Sequence, residues 1–135
     1  MTTTSDTGPI VLDRSHIVLL PSDLSLLTLR VGASFWGNTD ERPELADGRL
    51  LSVFDYKNDW TWWERHPRGD ELAYVLTGAI ELLLEDGNRQ WSVDLVPGTA
   101  GIVPEGTWHS ARITKPSTVL FVTPTPAGTE HRDAD

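Results

Sequence analysis

The side chains best suited to chemistry in this sequence are imidazoles and carboxylates that lie beside turns. Glu64 and His66 alternate along one extended segment, so their side chains should share a face with Trp62. The turn after His66 leads to Glu71, and a hairpin of that length can return Glu71 to the first two groups. A later Pro/Gly turn precedes His109. Imidazoles and carboxylates can transfer protons or bind metals, so these residues are the first functional candidates.

These residues lie in a region that is typical of short β-strands. From residue 50 onward, apolar segments are separated by Gly, Pro, Asp and Asn, which favour tight turns. The predicted strands are LLSVFDY, WTWWERH, ELAYVLT, AIELLLE, QWSVDLV, AGIVP, WHSARIT and TVLFVTP. Asp86-Gly87 is a strong hairpin signal. The pattern predicts an all-β sandwich or barrel and leaves no room for the crossover helices of a parallel α/β fold.

Two stretches of this region resemble the paired motifs of the cupin family. The first family motif, G-x5-H-x-H-x3–4-E-x6-G, is matched in spacing by Asn58, Glu64, His66, Glu71 and Gly78. The second, G-x5-P-x-G-x2-H-x3-N, is matched by Gly98, Pro104, Gly106, His109 and Ile113. The resemblance covers residues 50–123 and implies a double-stranded β-helix, the cupin jelly-roll barrel. Asn58 and Ile113 depart from the motifs at positions that look structural.

The resemblance also implies a metal site at the mouth of the barrel. Carried over to this sequence, the ligands are Glu64 in place of the family's first histidine, then His66, Glu71 and His109. Two carboxylates and two imidazoles favour Fe, Mn, Zn or Ni over Cu(I). Two carboxylates would also neutralise a divalent ion and lower its strength as a Lewis acid.

Other interpretations of these residues remain open. Glu64 and His66 could form an outward polar pair, or the site could have lost its metal, with His66 and Glu71 as a buried hydrogen-bonded pair. His16 precedes an apolar run and is expected to be a surface or capping residue. His131 lies in a polar tail, where a fifth ligand is not expected.

Tryptophan is unusually frequent, with six residues against five Phe and Tyr together. Alternation places Trp62 on the face of the predicted site, where it could form a pocket wall for an apolar or ring-containing ligand. Trp63 and Trp108 should face the other way. We expect those two to pack, in a sheet–sheet core or a dimer interface.

The resemblance suggests a metal-dependent enzyme acting on a small molecule, of the dioxygenase, isomerase or cyclase type. One alternative is a non-catalytic module that binds a small molecule or a metal. Another is a metal-free enzyme that uses His66 or His109 as an acid–base residue. The sequence names neither the substrate nor the reaction.

Composition limits the partners and the location. A net charge of −9 argues against binding to nucleic acid or to an anionic membrane surface. The chain lacks cysteine, which excludes disulfides and thiolate chemistry, and it has no apolar run of membrane-spanning length. The first ten residues lack the features of a secretion signal, so we expect a cytoplasmic protein.

The expected organisation is one barrel with irregular ends. We predict a disordered N-terminus at residues 1–8, an extension and loop at 9–49 that pack on the barrel, a cupin barrel at 50–125 and a tail at 126–135. Pro21 splits an apolar run that could be a short helix or an edge strand, and residues 37–49 are typical of a long loop. The run at 17–31 could cover a sheet edge in its own chain or in a partner, and we expect a homodimer.

Overall fold

A computed structural model describes residues 2–3, 9–13, 15–126 and 128–134 of the chain. The disordered segment predicted at residues 1–8 lies outside the described residues, apart from the backbone of Thr2–Thr3. In the described ranges, ten strands form one antiparallel sheet. They are β1 (Thr2–Thr3), β2 (His16–Leu20), β3 (Leu27–Arg30), β4 (Arg49–Tyr56), β5 (Trp62–Arg65), β6 (Glu71–Asp86), β7 (Arg89–Leu95), β8 (Ala100–Val103), β9 (Trp108–Pro124) and β10 (Glu130–Asp133).

The all-β prediction is confirmed. The two longest strands, β6 and β9, connect most of the other strands in the sheet. β6 and β9 pair along most of their length, and each also pairs with shorter strands at both ends. The first half of β6 pairs with β8 and the second half with β7, through the hairpin predicted at Asp86-Gly87. One end of β9 pairs with β4, and the other end carries His109 against β5.

Two predicted turns are instead irregularities inside these long strands. Gly78 and residues 115–117 separate predicted strands, but β6 and β9 continue through them with shifts of register. Gly78 has a φ of +85°, and an added Cβ would lie 2.2 Å from the Pro116 carbonyl oxygen. A glycine that takes a positive φ lets a strand bend sharply without ending, which is why the turn signal was misleading.

The N-terminal extension adds two strands to the sheet. The apolar run around Pro21 forms β2 and β3, which pair with each other, and β2 pairs with β4 of the same chain. The long loop predicted at 37–49 is wrong in detail, because the described residues there include the 3-10 helices Trp36–Glu41 and Pro43–Ala46. Pro43 begins the second of these at a position where its fixed φ suits a helix and no hydrogen-bonding N–H is needed.

Buried apolar side chains form two clusters within the described ranges. The barrel cluster comprises Trp60, Ala73, Val75, Ile80, Leu82, Leu84, Leu95, Val103, Ala111, Val119 and Phe121. The second lies between the extension and β4 and comprises Ile17, Leu19, Leu29, Phe35, Leu45 and Leu50. The barrel cluster reaches the candidate site through Trp60, whose ring centre lies 5.9 Å from that of His109. No helix in the described part of the chain is both long and apolar enough to cross a membrane.

Candidate metal centre

Three strands bring together the four residues that the sequence singled out. Glu64 lies on β5, directly opposite His109 on β9, so their side chains share one face. His66 follows β5, and Glu71 begins β6 after the intervening turn. His66, Glu71 and His109 are buried, with 5%, 4% and 0% of their surface exposed.

The distances between these groups are short. His109 Nε2 lies 2.9 Å from Glu71 Oε1 and 3.6 Å from Glu64 Oε2. His66 Nε2 lies 3.3 Å from Glu71 Oε2 and 3.7 Å from Glu64 Oε2. Both imidazoles therefore direct Nε2 toward the same two carboxylates. An outward polar pair, one of the alternatives for Glu64 and His66, does not describe this buried arrangement.

Although these imidazoles and carboxylates lie close together, several of their atoms make no well-directed hydrogen bond. His66 Nε2, His109 Nε2 and Glu71 Oε1 are fully buried, and no described residue makes a well-directed hydrogen bond to them. Leaving a buried polar atom without a partner costs about 1–3 kcal/mol. Glu64, His66 and His109 each offer a ligand atom within 4.8 Å of the others, a spacing that could hold a metal ion. The donor set and the unpaired atoms fit a divalent cation.

Neighbouring hydroxyl groups orient the buried ligand groups. Thr129 Oγ1 shares a hydrogen bond of 3.0 Å with Nδ1 of His66, on the far side of the ring from Nε2. Thr123 Oγ1 donates a hydrogen bond of 2.7 Å to Glu71 Oε2. Contacts of this kind fix the rotation of a metal-binding imidazole or carboxylate.

The charges at the centre shift one another's protonation. Burial alone would raise the pKa of Glu71, but the positive charge of His109 and the close contacts with His109 and His66 outweigh it and hold that pKa well below its ordinary value. Burial alone would lower the pKa of His109, yet the neighbouring carboxylates, Glu71 above all, raise it. In the absence of a metal, the two residues therefore form a buried ion pair.

The centre lies at one end of a cavity of about 570 Å³. Its walls include six aromatic residues, namely Trp36, Phe54, Tyr56, Trp60, Trp62 and Phe121. The rings of Trp60 and Trp62 stack with centroids 4.7 Å apart. Trp62 lies where the sequence placed it, on the face of the candidate site. Val31 and Trp36 show that the N-terminal extension supplies part of the wall.

The sequence did not predict the place of His131. The predicted polar tail forms β10, which pairs with β5 so that His131 lies opposite Glu64. His131 lines the cavity, and its Nε2 lies 3.4 Å from Glu64 Oε1. The hydrogen bond to Glu64 raises the pKa of His131. His16 does not line the cavity among the described residues, and its ring contacts the hydroxyl of Ser15.

Trp63 and Trp108 lie on the opposite face of the same strands. Neither joins a buried cluster in the described ranges, so the expected sheet–sheet core is wrong for both. The guanidinium of Arg132 lies 5.1 Å from the Trp63 ring centre and 4.6 Å from that of Trp108. Arg65 also covers Trp108, at 4.7 Å. Trp63 and Trp108 are thus covered by arginines on β10 and at the end of β5 and not by a second sheet. The expected dimer interface stays a prediction.

Fold and site together define a small β-barrel with an imidazole–carboxylate cluster at one end of an aromatic cavity. A family model described as "Cupin domain" matches residues 52–123, more than half of the sequence. The chain belongs to the cupin family.

Several solved structures are similar to this chain. A protein from Klebsiella pneumoniae with a double-stranded β-helix domain is 22% identical over 64% of this chain and 76% of its own, with a TM-score of 0.52. A cupin-2 domain protein from Shewanella frigidimarina is 17% identical over 56% of this chain and 70% of its own, with a TM-score of 0.49.

A third match, hydroquinone 1,2-dioxygenase from Sphingomonas sp. TTNP3 with 4-hydroxybenzoate bound, is 15% identical, with a TM-score of 0.49. It covers 56% of this chain, which spans 58% of that protein's length. The search of curated proteins gives no match.

Proposed function

We propose that this cupin binds one divalent metal ion through Glu64, His66, Glu71 and His109 and acts with it on a small molecule in the aromatic cavity. The observation that carries the proposal is the set of buried atoms without directed hydrogen bonds: Nε2 of both histidines and Oε1 of Glu71. A cation among them would give each atom a partner. Without it, Glu71 and His109 have only each other as an ion pair and His66 Nε2 has no directed hydrogen bond, so the burial of these groups is poorly compensated.

The ligand types narrow the choice of metal. Two imidazoles and two carboxylates suit Fe(II), Mn(II), Zn(II) or Ni(II), and the lack of sulfur donors disfavours Cu(I). When bound, the metal would polarise an oxygen atom of the ligand molecule and hold it in place. The protein itself buries Glu71 and His109 away from water and holds His66 through Thr129.

The walls of the cavity indicate the class of ligand. Six aromatic side chains line it, more than any other type, and the candidate metal ligands Glu64, His66 and Glu71 line it as well. The stacked pair Trp60 and Trp62 gives a flat surface against which a ring can lie. We therefore assign Trp62 to substrate binding and expect a small apolar or ring-containing ligand with one or more oxygen atoms that can reach the centre.

A second candidate is a metal-free cupin that uses His66 or His109 as an acid–base residue. The 2.9 Å contact between His109 and Glu71 favours it, because an ion pair of this kind can hold a proton without a metal. Dioxygenase, isomerase and cyclase chemistry, and binding without turnover, all remain open for the metal-bound protein.

Elemental analysis tests the metal proposal directly. The protein is purified without a histidine tag, and its metal content is compared with that of His66→Ala, His109→Ala and His16→Ala. We expect about one metal ion per chain in the wild type and in His16→Ala, and loss of the ion from the other two variants. A wild-type protein that stays metal-free after incubation with Fe(II), Mn(II), Zn(II) and Ni(II) would move the assignment to the metal-free candidate.

Ligand binding tests the role of the cavity. Quenching of tryptophan fluorescence by a panel of small phenols and aliphatic acids is measured for the wild type, Trp62→Ala and the outer-face control Trp63→Ala. We expect phenols to bind best. Trp62→Ala should weaken the binding of phenols, and Trp63→Ala should not. Turnover of any bound compound would separate an enzyme from a binding module. Equal binding by Trp62→Ala and the wild type would contradict the assignment of Trp62.

We also propose that two copies associate. Apolar side chains such as Val96 and Ile102, exposed by 51% and 63%, could lie in a contact between copies. Sedimentation at micromolar concentration should give the mass of a dimer, and a monomer would contradict the proposal. The cytoplasmic location stays a prediction.

A further inference from the structure

The carboxylate of Glu64 has two oxygen atoms that face different surroundings. Oε2 points to the centre, at 3.7 Å from His66 Nε2 and 3.6 Å from His109 Nε2. Oε1 points away from it. Trp62 Nε1 donates a hydrogen bond of 3.1 Å to Oε1, and His131 Nε2 lies 3.4 Å from the same atom. The carboxylate therefore lies between the candidate metal centre on one side and the indole N–H of Trp62 and the imidazole of His131 on the other.

Glutamate at this position needs external support. Its side chain has three rotatable bonds and is 21% exposed, whereas the facing His109 is fully buried and stiffer. An unsupported Glu64 could turn its carboxylate into the open cavity. The hydrogen bond from Trp62 and the contact with His131 on Oε1 restrict that rotation and leave Oε2 free to act as a ligand.

Contacts on the outer face of β10 fix this strand and therefore fix the position of His131. Glu130 accepts a 2.7 Å hydrogen bond from Nε of Arg65, and Arg132 donates one of 2.6 Å to Glu85. The residues alternate, so these outward pairs fix the strand while His131 points inward, opposite Glu64. The imidazole thus comes from a paired strand and not from a loose tail.

We propose that Trp62 and His131 are positioning residues that hold Oε1 of Glu64, so that Oε2 completes the metal site in place of the family's first histidine. The inference rests on the proposed metal binding. It gives Trp62 two tasks, since its ring lines the cavity while its N–H holds a ligand. It gives the C-terminal strand a part in the site through the close contact of His131 with Glu64.

The test uses Co(II), whose visible spectrum reports the ligand geometry. Co(II) affinity, from competition with a chelator, and the spectrum of the loaded protein are measured for Trp62→Phe, which keeps the ring and removes the N–H. The same is done for His131→Ala and His131→Gln, the second of which retains an N–H donor. Trp63→Phe and His16→Ala are matched controls.

We expect the affinity to fall about 10-fold in Trp62→Phe and between about 10- and 100-fold in His131→Ala, with a changed spectrum in both. His131→Gln should recover most of the affinity and the wild-type spectrum. In a Glu64→Ala background, neither substitution should reduce affinity further, because both act through the carboxylate that is already gone.

The outcomes separate this inference from the function on which it rests. A wild-type protein that binds no Co(II) would overturn the proposed metal site and this inference with it. Normal affinity and an unchanged spectrum in both Trp62→Phe and His131→Ala would overturn the inference alone. Pulsed EPR of the Cu(II)-loaded protein should count two imidazole nitrogens with and without His131. Loss of a third nitrogen in His131→Ala would make His131 a direct ligand and refute the positioning role.

Discussion

Strands β5, β9 and β10 carry two faces of very different character. On the outer face, Arg65 and Arg132 cover Trp63 and Trp108, and each arginine also binds a carboxylate. On the inner face, the same strands carry Glu64, His109 and His131, and the buried ring nitrogens lack directed partners among the described residues. Successive residues along these strands therefore alternate between an outer face, where the arginines have partners, and an inner face, where the ring nitrogens of His109 have no directed hydrogen bond.

The difference shows how a single set of strands can combine support and chemistry. Paired charges and stacked rings outside fix the strands relative to each other. Unpaired donors and acceptors inside reduce stability until something binds them. Rigid support from outside is what allows the inner groups to keep an arrangement that would otherwise relax.

The largest difference between substitutions on the two faces should be in how much bound metal stabilises the protein. At a metal concentration 100-fold above the dissociation constant, the free energy of unfolding of the wild type should rise by about 2.7 kcal/mol. His109→Ala should show no such increase, because it removes a ligand. Arg132→Ala on the outer face should keep part of the increase, because the ligands remain while β10 is held less firmly. Urea unfolding with and without metal measures the three proteins. Complete loss of the increase in Arg132→Ala would mean that this outer residue matters to the metal site as much as a ligand does.

Thr129→Val should weaken metal binding by about 10-fold, the lower end of the range for residues that orient a ligand. The substitution keeps the side-chain shape but removes the hydrogen bond to Nδ1 of His66, so the imidazole can rotate. Chelator competition measures the affinity. Thr118→Val, which removes an exposed hydroxyl contact with Asp55 instead, is the matched control. Equal losses in both variants would argue against a specific role for Thr129.

Arg132→Ala should lower the free energy of unfolding by about 1 to 3 kcal/mol. The change removes two cation–π contacts, worth about 0.5–1 kcal/mol each where exposed, and a partly exposed ion pair with Glu85. Urea unfolding of the metal-free protein measures the loss.

Arg89→Ala is the comparison for that variant. Arg89 stacks on one ring, Trp91, at 4.4 Å, in the β6–β7 hairpin and away from β10. We expect a smaller loss, of about 0.5–1 kcal/mol. If Arg89→Ala cost as much as Arg132→Ala, the outer face of β10 would have no special part in stability.

Glu85→Gln should have the smallest effect, below about 1 kcal/mol at pH 7. Hydrogen bonds from Arg132 and then Gln90 lower the pKa of Glu85 from its ordinary 4.5. A lowered carboxyl pKa stabilises the fold above pH 4.5, and this contribution disappears as the pH falls through the folded-state pKa. The difference between wild type and variant in urea unfolding should therefore shrink from pH 7 to pH 3. A difference that is the same at both pH values would show that Glu85 acts through packing and not through its charge.

Much of the barrel could be predicted because its signals are local. Alternating side chains and turn residues identified the strands from residue 50 onward, and Asp86-Gly87 identified the hairpin that joins β6 to β7. Gly78 was misread because a glycine with positive φ can end a strand or bend it. Only the approach of Pro116 on a distant strand decides between these outcomes.

The amino-acid sequence determined the chemical groups, their alternation along β5 and their link to the cupin motifs. That was enough to select Glu64, His66, Glu71 and His109 before their distances were known. Tertiary structure alone decided that Glu64 directs one oxygen to the centre and the other to Trp62 and His131. The physical reason is that the pairing of β10 with β5 depends on contacts between segments far apart in the chain, and no local pattern encodes it.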